Sequence, residues 1–250
     1  MSKSYLKVDH ELVGGIRLLM TDIDGTITDS GGNVEAVAAD AIRALMQVGI
    51  MVGFVTGRTL PRLESPAIDI GVDGPIIGEN GGIAKLRPGG KLLDLGYSRA
   101  PALRDLSRLR RLYPGAIEQT EDDADRYIDV GFKAQGVAAS ELREHLQESE
   151  LLDSGYMLHL LQNGISKGGT LKRILGLVGG RIMTEQVLVV GDSPTDISLF
   201  AMFPHSVLVR NSKMLEAGRR EVESAAEYAS ELEFGTGFAQ VAEHILRLRR

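Results

Sequence analysis

The sequence predicts an α/β protein in which a core built on a parallel sheet carries a smaller inserted α+β domain. Apolar runs typical of buried strands alternate with segments of helical periodicity near both ends of the chain, as in parallel βαβ units. In the middle of the chain the order changes to helix, strand, strand, helix, strand, which is typical of an α+β arrangement. We therefore expect a core formed by residues 1–84 and 160–250 and an inserted domain formed by residues 85–159.

The core elements follow from hydrophobic spacing and from turn residues. Asn33 is placed to cap the first helix and Gly49 to end it, and Pro61 suits the first turn of the second helix. Strands joined by helices are expected to be parallel with right-handed crossovers. The predicted strands are 16–20, 50–55, 75–78, 187–190 and 206–209, and the predicted helices are 34–45, 59–70, 166–177, 197–203, 215–226 and 238–248.

The inserted domain is predicted to begin with a hairpin whose two arms flank an Arg-Pro-Gly-Gly turn. An acidic turn separates the two strands that follow the next helix. The predicted elements are hairpin arms at 83–86 and 92–97, a helix at 102–113, strands at 116–120 and 127–132, a helix at 137–152 and a strand at 156–161.

Composition limits the functional classes. The 250 residues are 43% hydrophobic and 25% charged, as in globular proteins with a sizeable core. The absence of cysteine excludes disulfides, thiol catalysis and cysteine-bound metal. A net charge of -6 argues against a general nucleic-acid binder, and no apolar run approaches membrane-spanning length. We expect a cytoplasmic monomer or homodimer without a nucleic-acid or membrane partner.

Two carboxylates follow the first predicted strand. Side chains alternate along an extended chain, so Asp22 and Asp24 are expected to point the same way, while Gly25 lets the backbone turn beneath them. For Asp-x-Asp alone, a solvated polar loop is the better interpretation. The Gly-Thr that follows favours a catalytic pair instead.

Further polar groups lie at predicted strand ends and helix starts. Thr56 and Gly57 offer a hydroxyl and backbone N–H groups that suit a phosphoryl group, and Lys167 beside two glycines could pair with a phosphate. Asp192 and Asp196 lie four residues apart at a strand-to-helix turn, where hard oxygen ligands would hold Mg²⁺. Taken singly, these residues also fit a plain turn, a solvated lysine and a helix cap.

The joint pattern resembles the four motifs of the haloacid-dehalogenase-like (HAD) phosphohydrolases. The motifs are Asp22-Ile23-Asp24-Gly25-Thr26, Thr56-Gly57-Arg58, Lys167 and Gly191-Asp192 with Asp196. The resemblance implies a Rossmann-like core in which Asp22 is the nucleophile and Asp24 the general acid/base. It further implies that Thr56, Gly57 and Lys167 bind the phosphoryl group. It implies a Mg²⁺ site formed by Asp22, the backbone carbonyl of Asp24, Asp192 and Asp196.

The place of the insertion is similar to the Cof-like branch of that superfamily, whose α+β cap lies between the second and third motifs. Asn80-Gly81-Gly82 and the pattern from Asn211 to Gly235-Thr236-Gly237 also resemble this branch. The small cap looks most like archaeal-type phosphoglycolate phosphatases, with sucrose-phosphate and mannosyl-phosphoglycerate phosphatases as neighbours. Thr195 departs from the pattern, because many relatives carry Asn before the final Asp.

The expected function is Mg²⁺-dependent hydrolysis of a small phosphorylated metabolite such as 2-phosphoglycolate, through an aspartyl-phosphate. Arg126 and Lys133 of the cap are candidates to pair with a substrate carboxylate, and Arg58, Asn80 and Asn211 are further substrate-side candidates. A sugar-phosphate phosphatase, a phosphomutase or phosphotransferase with the same residues, and a non-catalytic binding protein are the alternatives. A histidine-based metal hydrolase is disfavoured, because the histidines show no ligand spacing.

Overall fold

The computed structural model describes residues 2–214 and 216–249, and these residues form two β-sheets with helices packed against them. The strands are β1 Lys3–Ser4, β2 Leu18–Thr21, β3 Met51–Val55, β4 Ile76–Gly78, β5 Ile83–Lys85, β6 Ile117–Gln119, β7 Val130–Ala134, β8 Ser149–Asp153, β9 Leu158–Gln162, β10 Val187–Gly191, β11 His205–Arg210 and β12 Tyr228–Glu233. The α-helices are α1 His10–Gly15, α2 Ala36–Gln47, α3 Leu60–Ile70, α4 Ala100–Leu112, α5 Ala139–Arg143, α6 Lys167–Ile174, α7 Ile197–Met202, α8 Glu216–Ala225 and α9 Phe234–Arg249.

The larger sheet has, in the described part of the chain, eight strands in the order β1-β12-β11-β10-β2-β3-β4-β5. Every neighbouring pair from β1 to β4 is parallel, and β5 joins β4 antiparallel. Side chains of one strand enter two hydrophobic cores, because Leu19 packs on one face while Leu18 and Met20 pack on the other. The predicted α/β class with a mainly parallel sheet is confirmed.

Some core elements differ from their predictions. β1, α1 and β12 were not predicted, and β12 was missed because its serine and two glutamates hide a strand pattern. The prediction that Asn33 caps the start of the first core helix is wrong. Glu35 holds the N-cap position of α2, without a side-chain cap bond, and Asn33 donates its backbone N–H to Asp29 Oδ1 at 3.0 Å. Leu215, the predicted start of the helix at 215–226, lies outside the described residues.

The smaller sheet is antiparallel, with the order β6-β7-β9-β8. The prediction of one helix over residues 137–152 is wrong, since α5 ends at Arg143 and β8 pairs with β9. Along β8, Ser149 and Leu151 are buried while Glu150 is exposed, which is the alternation of a half-buried strand. The helical interpretation joined two short elements into one.

Asp105 explains why the helix stops. Its buried carboxylate accepts the backbone N–H groups of Gln147 at 3.1 Å, Glu148 at 2.9 Å and Ser149 at 2.9 Å. Backbone N–H groups that bind a side chain are not available for the backbone hydrogen bonds of a helix. The turn before β8 is therefore set by a residue on α4, far away in sequence.

Two other predicted elements are shorter than expected. The second arm of the hairpin, residues 92–97, forms only an isolated bridge between Lys85 and Leu92 in the described residues. The strand predicted at 127–132 begins at Val130. Its first residues instead give their N–H groups to Glu79 of the core.

The smaller sheet turns its helix-free face toward the core. Val130 and Phe132 of β7 pack in a hydrophobic cluster with residues of α4, so strand alternation puts Gly131 and Lys133 on the other face. A Cβ atom at Gly131 would lie 3.0 Å from Arg126 Nε, and Arg126 Nη1 donates to the Gly57 carbonyl of the core at 3.1 Å. The open face therefore covers the edge of the core at which β3 ends.

The division into a core at 1–84 and 160–250 and an inserted domain at 85–159 stays a proposal. β5 ends at Lys85 while paired with the core strand β4, and β9 extends past residue 159 to Gln162. Among the described residues, no helix combines the length and the apolar character that crossing a membrane requires.

We predict that Asp105→Asn lowers the free energy of unfolding by about 2–3 kcal/mol at neutral pH. The amide would turn an N–H group toward backbone N–H donors. Burial would raise the pKa of Asp105, but the hydrogen bonds from Glu148, Ser149 and Gln147 outweigh it and hold the pKa below its ordinary value of 3.8. Because the pKa of Asp105 is lower in the folded than in the unfolded protein, ionised Asp105 stabilises the fold at pH values above its unfolded-state pKa. This contribution is lost as the pH falls through its folded-state pKa.

Urea denaturation as a function of pH checks this expectation. The difference between wild type and Asp105→Asn should be constant from about pH 5 to 7 and should shrink below about pH 4. The exposed Asp40 is the control, and Asp40→Asn should change the stability by less than about 0.5 kcal/mol. An Asp105→Asn protein as stable as wild type at pH 7 would contradict the role of Asp105.

Candidate active site

The candidate site lies where parallel strands end. β2, β3, β4, β10 and β11 all run in one direction, so the residues that follow them meet at one edge of the sheet. These residues are Asp22 and Asp24 after β2, Thr56 and Gly57 after β3, Glu79 and Asn80 after β4, Asp192 and Asp196 after β10, and Asn211 after β11. Lys167 joins them from the first position of α6. The topology brings the predicted motifs together.

A buried lysine connects two of the aspartates. Lys167 Nζ donates to Asp22 Oδ1 at 3.1 Å and to Asp196 Oδ1 at 2.7 Å. All three side chains are almost fully buried. The second oxygen of Asp196 accepts the backbone N–H groups of Asp192 at 3.0 Å and Ser193 at 3.1 Å. Asp196 thus shapes the turn after β10 and also contacts the lysine.

Asp192 is held from two sides. Its Oδ1 accepts from the Thr26 hydroxyl at 2.7 Å, and its Oδ2 accepts from Asn211 Nδ2 at 2.6 Å. The place beside it suits only glycine, because a Cβ at Gly25 would lie 2.4 Å from Asp192 Oδ2. Gly25 also has φ of 82°, in the left-handed region that favours glycine. The Gly-Thr of the first motif therefore positions Asp192 as well as turning the chain.

The electrostatics of this cluster follow from burial and proximity. Burial is the largest influence on Asp22 and raises its pKa, as do Asp196 and Asp192, while Lys167 opposes them. Burial and the charge of Asp196 raise the pKa of Asp192 to about 7. Burial would lower the pKa of Lys167, but Asp196 and Asp22 outweigh it and raise that pKa above 10.5. The lysine is therefore a permanent cation among more numerous acidic groups.

The cluster fits a divalent metal ion. Asp22, Asp192 and Asp196 each present a carboxylate oxygen, and these oxygens lie within 4.8 Å of one another. When the three carboxylates are ionised, the single positive charge of Lys167 leaves an excess of negative charge in this buried cluster. A hard cation with oxygen ligands would neutralise this excess, as Mg²⁺ does in carboxylate sites.

Asp24 has a different environment from Asp22. Its side chain is 39% exposed, and both of its oxygens bind Arg58. Arg58 Nε donates to Oδ2 at 2.8 Å and Nη2 donates to Oδ1 at 2.5 Å. The two carboxylates of the first motif are thus separated into a buried one beside Lys167 and an accessible one gripped by a bidentate arginine.

The loop after β3 offers groups for an anion. Thr56 is buried, and its hydroxyl accepts the backbone N–H of Arg58 at 3.3 Å. Asn80 donates its backbone N–H to the Thr56 carbonyl at 3.0 Å, and a Cβ at Gly57 would lie 3.0 Å from Asn80 Oδ1. Asn80 Nδ2 is buried and has no hydrogen-bond partner among the described residues. An unpartnered buried donor beside this loop is suited to a ligand oxygen.

The two predicted cap cations have different surroundings. Arg126 is buried, and its guanidinium binds Asp129 at 2.6 Å, Asp122 at 3.0 Å and the Gly57 carbonyl. Lys133 is exposed on the helix-free face, and it forms no ion pair with a carboxylate in the part of the chain that the structure describes. Arg126 connects the segment before β7 to the loop after β3, whereas Lys133 remains open to an incoming anion.

Sequence reasoning missed two residues at this edge. Tyr156 lies at the tip between β8 and β9, and β8 contacts the turn Pro194–Asp196. Tyr156 is largely exposed, and partial burial with the charges of Asp192 and Asp24 raises the pKa of its phenol. A lone tyrosine in a turn gave no signal. Glu79 did give one, since it follows a strand directly, as Asp22 and Asp192 do.

Thr195 stands at the position before the final Asp of the motif, where many relatives carry Asn. Its hydroxyl lies 2.9 Å from the Ser193 hydroxyl, and Ser193 also contacts Asp196. The hydroxyl pair therefore supports the turn that presents Asp192 and Asp196.

Residues 19–99 and 111–231 match the model of the haloacid dehalogenase-like hydrolase family. These ranges contain every acidic residue of the cluster, the loop after β3 and Lys167. The chain belongs to this family of hydrolases, and the prediction of a phosphatase of this family is confirmed.

Known proteins resemble the chain over nearly its whole length. The phosphoglycolate phosphatase of Methanoculleus marisnigri is 30% identical over 239 residues, which are 91% of this chain and 96% of that protein. A crystal structure from Thermoplasma acidophilum has a TM-score of 0.79 at 22% identity and covers 93% of this chain and 99% of its own. The sucrose-phosphatase of Synechocystis has a TM-score of 0.70 at 18% identity, with 91% and 97% covered. The two structures share the fold.

We predict that Mg²⁺ stabilises the protein and that Asp192→Asn removes this effect. At a Mg²⁺ concentration of 100 times Kd, binding adds about 2.7 kcal/mol, or about 5–10 °C in Tm for a chain of this size. Differential scanning calorimetry with Mg²⁺ and with EDTA measures the shift without any substrate.

Asp29 provides the matched control, because it is a half-buried aspartate at the same edge, and among the described residues its carboxylate binds only backbone N–H groups and Asn33. Asp29→Asn should keep the Mg²⁺-dependent rise in Tm. Equal shifts in wild type and in Asp192→Asn would contradict the metal site.

Proposed function

We propose that this hydrolase is a Mg²⁺-dependent phosphomonoesterase that acts through an aspartyl-phosphate on a small phosphorylated acid. One observation carries the proposal. The two carboxylates of the first motif have separate environments, with Asp22 buried against Lys167 and Asp24 accessible at the mouth. Two carboxylates in unlike environments can take two chemical roles.

Asp22 is the proposed nucleophile. One of its oxygens attacks phosphorus, the bond from phosphorus to the ester oxygen breaks, and the leaving oxygen takes a proton from Asp24. Lys167 lies 3.1 Å from Asp22 Oδ1, so its charge is already placed beside the phosphoryl oxygens that gain charge. The Thr56 hydroxyl and the backbone around Gly57 would bind the other oxygens.

Asp24 completes the second half of the cycle as a base. It removes a proton from water, whose oxygen attacks phosphorus, and this releases phosphate and restores Asp22. The bidentate contact with Arg58 fixes the orientation of Asp24. Arg58 is thus both a candidate substrate contact and the residue that orients the acid/base group.

The metal would be held by Asp22, Asp192 and Asp196, with the backbone carbonyl of Asp24 as a further ligand. Mg²⁺ bound there would supply charge neutralisation for the phosphoryl group during transfer. Asn211 and Thr26 would keep Asp192 in place, since they bind its two oxygens. Asn211 therefore acts on the metal site and only indirectly on the substrate.

Substrate size and charge follow from the cap. Its sheet lies over the catalytic edge, with Arg126 in contact with Gly57, and we infer that it leaves room for a small leaving group. Lys133 follows Phe132, which pairs with Leu158 beside the tip that carries Tyr156. A carboxylate on the substrate would find an unpaired ammonium on this face. The name of the Methanoculleus marisnigri relative, phosphoglycolate phosphatase, supports a substrate of this kind.

We predict that Asp22→Asn abolishes turnover and leaves the fold intact. The amide has nearly the same shape but is neither a nucleophile nor a charged ligand. Phosphate release should fall to less than about a hundredth of wild type, while the circular dichroism spectrum and the Tm in EDTA show a folded protein. Asp40→Asn, on the exposed face of α2, should keep full activity. Activity of Asp22→Asn above that level would refute the nucleophile.

We also predict that 2-phosphoglycolate gives the highest kcat/KM in a panel of phosphate monoesters. Lys133→Ala should raise KM for 2-phosphoglycolate about 10- to 100-fold, the cost of one charge-assisted hydrogen bond. KM for p-nitrophenyl phosphate, which carries no carboxylate, should change less than about threefold. Lys172→Ala, an exposed lysine of the core helix α6, is the control and should change neither.

A sugar-phosphate phosphatase is the second candidate, and the fold shared with a sucrose-phosphatase favours it. The same panel separates the two. If a hexose or disaccharide phosphate exceeds 2-phosphoglycolate by about tenfold in kcat/KM, the small-acid proposal is wrong. Transfer of the phosphoryl group to a second hydroxyl instead of water would indicate a phosphomutase. Cytoplasmic location and a monomer or homodimer remain part of the proposal.

A further inference from the structure

Glu79 is a buried carboxylate that the proposed chemistry does not use. It follows β4 at the catalytic edge, and its side chain points to the cap. Oε1 accepts the backbone N–H of Tyr127 at 2.8 Å, and Oε2 accepts those of Ile128 at 2.7 Å and Asp129 at 3.0 Å. One core side chain thus holds three consecutive amides of the segment that leads into β7.

Through Arg126, the same segment contacts the loop after β3, which is the proposed phosphate-binding loop. Arg126 Nη1 donates to the Gly57 carbonyl at 3.1 Å and to Asp129 Oδ1 at 2.6 Å. Asp129 is fully buried and also binds His159 Nδ1 at 2.8 Å. The segment held by Glu79 is therefore joined to the core loop on one side and to β9 on the other.

The backbone at Glu79 is unusual in a way that fits this role. Glu79 has φ of 50° and Asn80 has φ of 54°, so two successive residues with side chains lie in the left-handed region. Such conformations carry an energetic cost and persist where the surroundings determine them. Here the carboxylate with its three N–H donors offsets the cost. The same turn aims Asn80 at Gly57.

We propose that Glu79 is a positioning residue that fixes the cap sheet over the phosphate-binding loop and so sets the affinity for the acidic part of the substrate. The kinetic part of this inference rests on the proposed function. A fixed segment 127–129 sets the start of β7, and β7 carries Lys133. The anion with three convergent amide donors is needed, because glutamine would bring an N–H group against backbone N–H groups.

The first test measures hydrogen exchange of the amides of residues 127–129. Glu79→Gln should raise their exchange rate by about tenfold or more, while amides of the core strands stay protected. Glu64→Gln is the matched control, because Glu64 binds Lys85 and the Gly89 N–H and does not touch the segment. Unchanged exchange at 127–129 in Glu79→Gln would overturn the proposal.

The second test separates KM from kcat. Glu79→Gln should raise KM for 2-phosphoglycolate about tenfold, with kcat for p-nitrophenyl phosphate within about threefold of wild type, because the catalytic groups are untouched. Faster exchange together with an unaltered KM would show an anchor without a role in recognition, and this outcome also overturns the proposal.

Failure of the proposed function is recognised independently. A wild-type protein inactive on every phosphate ester would refute that function, whereas the exchange result would still decide whether Glu79 anchors the segment. If Glu79→Gln does not fold, the exchange of the wild type decides. Protection at 127–129 as strong as that of β7 supports the anchor, and exchange as fast as in exposed loops overturns it.

Discussion

Three carboxyl groups, buried together at one edge of the sheet and beyond what the single charge of Lys167 can balance when all are ionised, are the constraint on which the site depends. The parallel strands bring Asp22, Asp192 and Asp196 within a few ångströms of each other, where ionised groups repel in a medium of low dielectric. The surrounding contacts serve this arrangement. Thr26 and Asn211 bind Asp192, and the turn after β10 gives its N–H groups to Asp196.

This arrangement explains why the site was predictable from sequence. Each acidic group follows an apolar run, and the ends of parallel strands meet at one edge whatever the helices between them do. Local pattern was enough to place Asp22, Thr56 and Asp192 together. The strand interiors of the core were equally legible, because residues such as Leu18 and Leu19 are buried on both faces of the sheet.

The cap was less predictable, because its boundaries depend on side chains remote in sequence. Nothing between residues 137 and 152 shows that Asp105 will take the amides before β8. Likewise, β7 starts late because Glu79 binds the amides that precede it. Sequence periodicity indicates which faces of a helix or strand are apolar. It does not indicate which backbone N–H groups a distant carboxylate will bind.

The connection between β9 and α6 limits how the inserted segment could be exchanged between related proteins. The chain leaves the cap sheet at Gln162 and reaches Lys167, at the first position of α6, after a short irregular segment. The exit from the cap and the cation of the site therefore share one stretch of backbone. A graft that lengthens or shortens this segment would displace the lysine itself. The inserted segment can therefore be exchanged only if the length of the connection from β9 to α6 is kept.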